Sequence, residues 1–272
     1  DYLKSRLPNY TSPEQYYSFR DNIYADFSYM RTGIMAGSPC PISVVKDVVG
    51  KMHMSEITIV YGQTEASPGC TMSSTDDPIE VRVGTVGRPL PEIECKIVNP
   101  ETGEDCPDEV TGEFVARGYN LMKGYYKMPE ATAAAIDKDG WLHTGDMAKQ
   151  DEDGFIFLVD RKKDVVISGG ENLYPVQIED HLRGFDKIKD VAVIGLPHER
   201  LGEICAAIIE IKDGVSCTEE EINDFCMAMP RYKRPRKIFF DKVPRNPTGK
   251  IEKPALREKY CGKRLVEAQI TG

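Results

Sequence analysis

The chain has 272 residues, 40% of them apolar and 29% charged, with a formal net charge of −9 and a mean hydropathy of −0.40. Such a length fits one large domain or two smaller ones, and the composition is that of a soluble globular protein rather than a membrane-embedded one. The acidic balance excludes wholesale nucleic-acid binding, which needs a basic surface to displace phosphate counterions, and eight scattered cysteines without a CxxC pair exclude a small disulfide scaffold.

In chain order, the first strand is expected over 57–61, then others over 93–98 and 112–117, each β-branched and apolar. Pro129 stands ahead of a helix over 130–136, since proline suits the first helical turn. Asp139-Gly140 and Asp153-Gly154 mark tight turns, with strands over 155–159 and 165–168 beyond. Pro175 opens a helix to 183, strands follow over 191–196 and 204–211, and Thr218 with Glu221 forms a capping box for a helix to about 227. A last strand covers 237–240.

The most apolar stretch, 204–211, contains Glu210 and is far too short to span a bilayer, and the N-terminus lacks a basic-then-apolar signal pattern. Reduced thiols in a cytoplasmic protein are therefore expected. Residues 80–160 predict a small β-rich barrel or sandwich, whereas strands and helices alternate from about 164 onward. The change falls in the charged run Asp160-Arg161-Lys162-Lys163-Asp164, which divides the chain into domains 1–160 and 161–272. The fold class is mixed α/β (α+β).

Four runs carry chemistry. Tyr61-Gly62-Gln63-Thr64-Glu65 follows a strand and offers a flat ring, a close backbone approach, a hydroxyl for a phosphate oxygen and a carboxylate for Mg2+. Gly140-Trp141-Leu142-His143-Thr144-Gly145-Asp146 places a carboxylate after a glycine turn, able to accept from both vicinal hydroxyls of a ribose. The charged run leads to Ser168-Gly169-Gly170-Glu171-Asn172, whose glycines change backbone angles cheaply. Pro244-Arg245-Asn246-Pro247-Thr248-Gly249-Lys250 holds a lysine on a short loop, where its charge can meet a carboxylate and a phosphate. Each run alone also reads as an ordinary turn, linker or solvated loop. The cluster Arg231, Lys233, Arg234, Arg236, Lys237 is either a solvated face or a seat for a small polyanion.

In this order, the four runs resemble the core motifs of the adenylate-forming superfamily, which includes acyl-CoA synthetases, luciferases and peptide-synthetase adenylation domains. Residues 31–40, with Gly37, Ser38 and Pro39, look like its adenine-side glycine segment, and Val83-Gly84-Thr85-Val86-Gly87-Arg88-Pro89 fills the interval as the family does. The resemblance spans about 26–260 and is closest to medium- and long-chain fatty acyl-CoA synthetases. It implies a remnant of the large N-terminal domain, with its β-rich barrel-like part, followed by a small mobile α/β domain. Catalytic roles would fall to Lys250, Thr64 and Glu65, with Glu65 on Mg2+. Gly37, Ser38, Pro39, Tyr61, Gly62, Asp146 and Arg161 would contact ATP or AMP, Gly169 and Gly170 would line the CoA channel, and Lys163 would be the hinge.

The family's phosphate loop, rich in Ser, Thr and Gly and ending in Pro-Lys-Gly, is not found upstream of the adenine segment. The expectation is therefore a later portion of an acyl-CoA synthetase with little or no ligase activity by itself. An adenylating enzyme that loads a carrier protein, and a silent nucleotide-binding module, are the alternatives. Acyl chain length and oligomeric state are not legible.

Overall fold

The computed structural model describes residues 27–37, 40, 42–247 and 249–261. Among them, three sheets follow one another along the chain. The first pairs β1 (Thr32–Met35) in parallel with β2 (Glu56–Tyr61), then runs antiparallel through the two-residue strands β3 (Thr71–Met72) and β4 (Arg88–Pro89). A parallel pair needs a crossover, and the helix Ile42–Met52 supplies it. Val45, Met54 and Ile57 close the small core beneath.

The second sheet is a meander of β5 (Ile93–Val98), β6 (Gly112–Gly118), β7 (Leu142–Gln150) and β8 (Ile156–Arg161), each antiparallel to the next. Of the expected barrel or sandwich, the closed barrel is corrected: among the described residues this is an open four-stranded sheet, with β5 and β8 as its edges. One face packs Phe114, Ala116, Leu142, Ala148 and Ile156 against Tyr61, Ala66 and Cys70, so the end of β2 is buried in the core of the second sheet. Burying side chains of the size of Phe114 or Leu142 contributes about 1.5–3 kcal/mol each, which fixes the two sheets against one another at that point.

β7 was not expected as a strand. Its sequence Leu-His-Thr-Gly-Asp-Met-Ala-Lys-Gln has a single β-branched residue, yet pairing on both edges overrides the weak propensity. Gly145 has φ +71°, and the register shifts between Glu113 and Val115 on one side and between Met147 and Ala148 on the other. Asp146 therefore lies inside an irregular strand and not on the glycine turn where the sequence placed it.

The one-turn 3-10 helix Lys162–Asp164 leads into the third sheet. It contains β9 (Val166–Ser168), β10 (Glu171–Leu173), β11 (Ile188–His198), β12 (Gly202–Ile211) and β13 (Lys237–Phe240). The order is β10-β9-β12-β11, with β13 parallel to β12. Cys205 through Ile209 are all buried because both faces are covered, as an unbroken apolar run requires. The helices Pro175–Arg183 and Glu219–Phe225 cover one face and the helix Lys253–Cys261 the other. The capping box forms as predicted, Glu221 N donating to Thr218 Oγ1 and Thr218 N to Glu221 Oε2. That helix ends at Phe225, two residues early, and continues as the 3-10 turn Cys226–Ala228. No helix among the described residues is long and apolar enough to cross a membrane.

Candidate functional site

Where β2 ends, Tyr61 is followed by the single 3-10 turn Thr64–Ala66. Gly62 is required there by space: a Cβ would sit 1.9 Å from Pro68 O. Tyr61 is 8% exposed, its ring edge-on to Phe114 at 5.2 Å, so it has only a narrow face left for a ligand. Its hydroxyl donates to Asp146 Oδ2 at 2.7 Å. Burial and the neighbouring Asp146 charge hold the phenol well above its ordinary range, which keeps the proton on Tyr61.

Asp146 on β7 faces Arg161 on β8 in register, with Arg161 Nε 3.9 Å from Asp146 Oδ1. Burial raises the Asp146 carboxyl above the usual value; the Tyr61 hydrogen bond, Arg161 and Lys250 pull it back without cancelling the rise. Lys250 belongs to a loop of the third sheet, so its charge reaches Asp146 across the two sheets.

Behind Asp146 lies the buried Glu113, 3% exposed. It accepts from Gly145 N at 3.1 Å and from Lys162 Nζ at 3.1 Å. One carboxylate thereby fixes both the bulge that carries Asp146 and the first residue of the Lys162–Asp164 turn.

The charged run is not a solvated tether. Asp160 and Asp164 are buried, whereas Lys163 is exposed between them. Asp164 pairs with Arg257 Nη2 at 2.6 Å, and the same nitrogen donates to Lys163 O at 3.4 Å. Asp160 accepts from Val176 N at 2.9 Å; burial lifts its carboxyl to about 6, against the pull of Lys253.

Lys250 is exposed at the end of a tight loop closed by Asn246 N to Lys250 O and Lys250 N to Asn246 Oδ1, both 2.9 Å. Arg245 holds the loop to β11 through a two-pronged pair with Asp190, at 2.7 and 2.9 Å. Arg245 and Asn246, rather than the lysine itself, supply the side-chain bonds that hold the loop.

Other predicted positions are placed less directly. Gly37 is exposed with φ +85°, while Ser38 and Pro39 lie outside the described residues. Gly169 and Gly170 both have positive φ, and Gly169 N donates to Leu201 O within the third sheet. In the basic cluster, Arg234 turns back to the carbonyls of Met229 and Met227 and Lys233 to Gln177, so those two brace the loop, while Arg231, Arg236 and Lys237 are exposed. Sequence reasoning missed the segment after β6. Asn120 Nδ2 donates to Ala66 O and Gly69 O, both at 2.8 Å, and Met122 N to Glu65 O at 2.8 Å. Tyr125 Oη donates to Glu65 Oε1 at 2.8 Å.

Residues 6–126 match the family model described as AMP-binding enzyme, and 177–250 the one described as AMP-binding enzyme C-terminal domain. A Bacillus subtilis relative is 49% identical over 236 residues, which is 86% of this chain and 43% of the relative. The mitochondrial medium-chain acyl-CoA ligase of Mus musculus is 42% identical over 86% of this chain and 38% of its own length. Among solved structures, ATP-bound MatB of Rhodopseudomonas palustris aligns at TM-score 0.76 and 33% identity, over 84% of this chain and 45% of that one. The o-succinylbenzoate CoA synthetase of Bacillus subtilis with its acyl-adenylate aligns at 0.77 and 29%, over 92% and 50%. The chain spans less than half the length of these curated relatives. With both models matched in order along it, the chain belongs to the AMP-binding enzyme family of adenylate-forming enzymes.

Proposed function

We propose that the chain carries the nucleotide-side and C-terminal parts of an acyl-CoA synthetase. In the first half-reaction, a carboxylate oxygen of the acid attacks the α-phosphorus of ATP, the bond to the bridging oxygen breaks, and pyrophosphate leaves. In the second, the CoA thiol attacks the acyl carbonyl of the adenylate, the C–O bond breaks, and AMP leaves. The observation that carries this reading is geometric: Tyr61 Oη donates to Asp146 Oδ2 at 2.7 Å while Arg161 Nε lies 3.9 Å from Asp146 Oδ1, so an aromatic ring and an anchored carboxylate stand together as an adenosine needs. Lys250, exposed on the loop after β13, would bring a cation to the reacting carboxylate and α-phosphate.

At that site, Asp146 would accept from the ribose hydroxyls, with Tyr61 and Arg161 fixing its orientation and Tyr61 offering its narrow open face to the adenine. Thr64 would donate to the α-phosphate. Gly37 and Gly62 would let the backbone approach the nucleotide. Lys250 would stabilise the negative charge gathering as the carboxylate meets the phosphate, an effect that a preorganised, partly dried site strengthens.

The described residues form no cluster of three His, Cys, Asp or Glu side chains able to cage a metal. A single half-buried carboxylate, Glu65, beside phosphate oxygens fits Mg2+, which is usually held by one or two carboxylates plus substrate phosphates. When bound there, Mg2+ would neutralise phosphate charge.

The lobes would be 1–160 and 161–272, turning about Lys163 between the half-reactions, with Gly169 and Gly170 reaching the pantetheine arm and the exposed part of the basic cluster near CoA phosphates. A cytoplasmic setting would suit the buried thiols of Cys70, Cys95 and Cys205, which burial pushes up to about 11 or 12 and so keeps protonated. Incubating the full-length protein with ATP, Mg2+, CoA and a panel of fatty acids, and following acyl-CoA and AMP by mass, tests the reading. Acyl-CoA formed with stoichiometric AMP supports it; product formed only with a carrier protein, or none with any acid, overturns it.

A further inference from the structure

The phenol of Tyr125 is half-exposed and aimed at a carboxylate 60 positions upstream, Tyr125 Oη donating to Glu65 Oε1 at 2.8 Å. The contact is built. Tyr125 N donates to Thr132 Oγ1 at 2.9 Å, and Thr132 Oγ1 donates to Met128 O at 2.8 Å on the helix Pro129–Ala135. The preceding Gly124 has φ +142°, and a Cβ there would lie 2.8 Å from Thr132, so only glycine lets the chain turn Tyr125 toward Glu65. The same segment holds the main chain of the Glu65 turn through Met122 and Asn120.

The chemistry of the donor matters. Among the described residues, Asp146, Glu113 and Asp164 each meet an Arg or Lys, whereas no cationic side chain lies within ion-pair distance of Glu65. A neutral phenol O–H fixes the orientation of a carboxylate while leaving its full negative charge in place; an Arg or Lys would cancel it. A hydrogen bond on one oxygen of a metal-binding carboxylate is the usual outer partner that orients the other toward the ion.

Resting on the proposed function, we propose that Tyr125 is a positioning residue: its hydroxyl holds Glu65 Oε1 so that Oε2 faces a divalent cation carried in on the nucleotide phosphates.

The test is the affinity for Mg2+ at saturating non-hydrolysable ATP analogue, by calorimetry, or for Mn2+ by paramagnetic resonance, using the full-length protein. Tyr125→Phe should weaken the cation about tenfold, the lower end of the effect of losing an outer-shell partner. Affinity for the analogue without cation should stay unchanged. In a Glu65→Gln background, Tyr125→Phe should add nothing, because the two act through one bond. Equal cation affinity in wild type and Tyr125→Phe overturns the inference, as does a loss that persists undiminished in the Glu65→Gln background or that is matched without cation. Failure of the wild type to bind the analogue at all would instead sink the proposed function beneath it.

Discussion

The Tyr61 hydroxyl donates to Asp146 Oδ2 at 2.7 Å and so joins the end of β2 to the middle of β7. A hydrogen bond to a charged acceptor contributes about 1.5–3 kcal/mol, enough to fix the rotamer of the one carboxylate to which a ribose would bind. Tyr61→Phe keeps the ring against Phe114 and removes only this bond. AMP affinity should fall about tenfold by calorimetry. One of the influences that lower the Asp146 carboxyl would also be lost, so its raised value should climb further and the deficit should widen as pH falls. A deficit constant with pH would contradict this.

Arg245 and Asp190 fasten the loop of Lys250 to β11. Arg245→Leu should leave melting temperature within a few degrees, because half the pair is exposed. It should slow acyl-adenylate formation about tenfold, since a displaced lysine loses alignment with its target. Stopped-flow release of pyrophosphate from the full-length protein measures it. Unchanged release would show that the loop needs no brace.

Arg257 and Asp164 form a buried pair beside the Lys162–Asp164 turn, with side chains 11% and 8% exposed. Arg257→Met leaves Asp164 buried and unpaired and should cost about 3–5 kcal/mol in denaturant unfolding. The double variant Arg257→Met with Asp164→Leu should recover much of that loss. If it recovers none, the pair is not what couples the helix Lys253–Cys261 to the Lys162–Asp164 turn.

Asp160 supplies a pH signature. Its carboxyl is lifted from 3.8 to about 6, chiefly by burial. Between those values the folded chain holds a proton that the unfolded chain has released, so this residue's contribution to stability is full below 3.8 and is lost as pH rises through about 6. Asp160→Asn should flatten that part of the profile, its melting temperature gaining on the wild type from pH 4 to about 7. A gap independent of pH would contradict the assignment.

Much of this fold was legible. Strands β2, β5, β6, β12 and β13 announce themselves by β-branched, apolar runs, and two helices by a proline at their first turn. β7 was not, because His143-Thr144-Gly145 has the chemistry of a turn and becomes strand only through partners on both sides. The motif runs pointed to Tyr61, Asp146, Arg161 and Lys250, and the fold sets the first three side by side, Tyr61 Oη 2.7 Å and Arg161 Nε 3.9 Å from the Asp146 carboxylate. Their supports could not be read. Tyr125 to Glu65, Glu113 to Lys162 and Arg245 to Asp190 join residues 49 to 60 positions apart, and no local pattern encodes such pairings.

The most direct test of a shared cleft separates the two half-reactions in the full-length protein carrying Lys250→Ala. Fatty-acid-dependent exchange of pyrophosphate into ATP should fall about 100- to 1000-fold, the usual cost of removing one preorganised charge donor. Acyl-CoA formation from supplied acyl-adenylate should stay within a few-fold of wild type. Exchange that survives the substitution, or an equal loss in both reactions, would mean that Lys250 does not meet the nucleotide where Asp146 holds it.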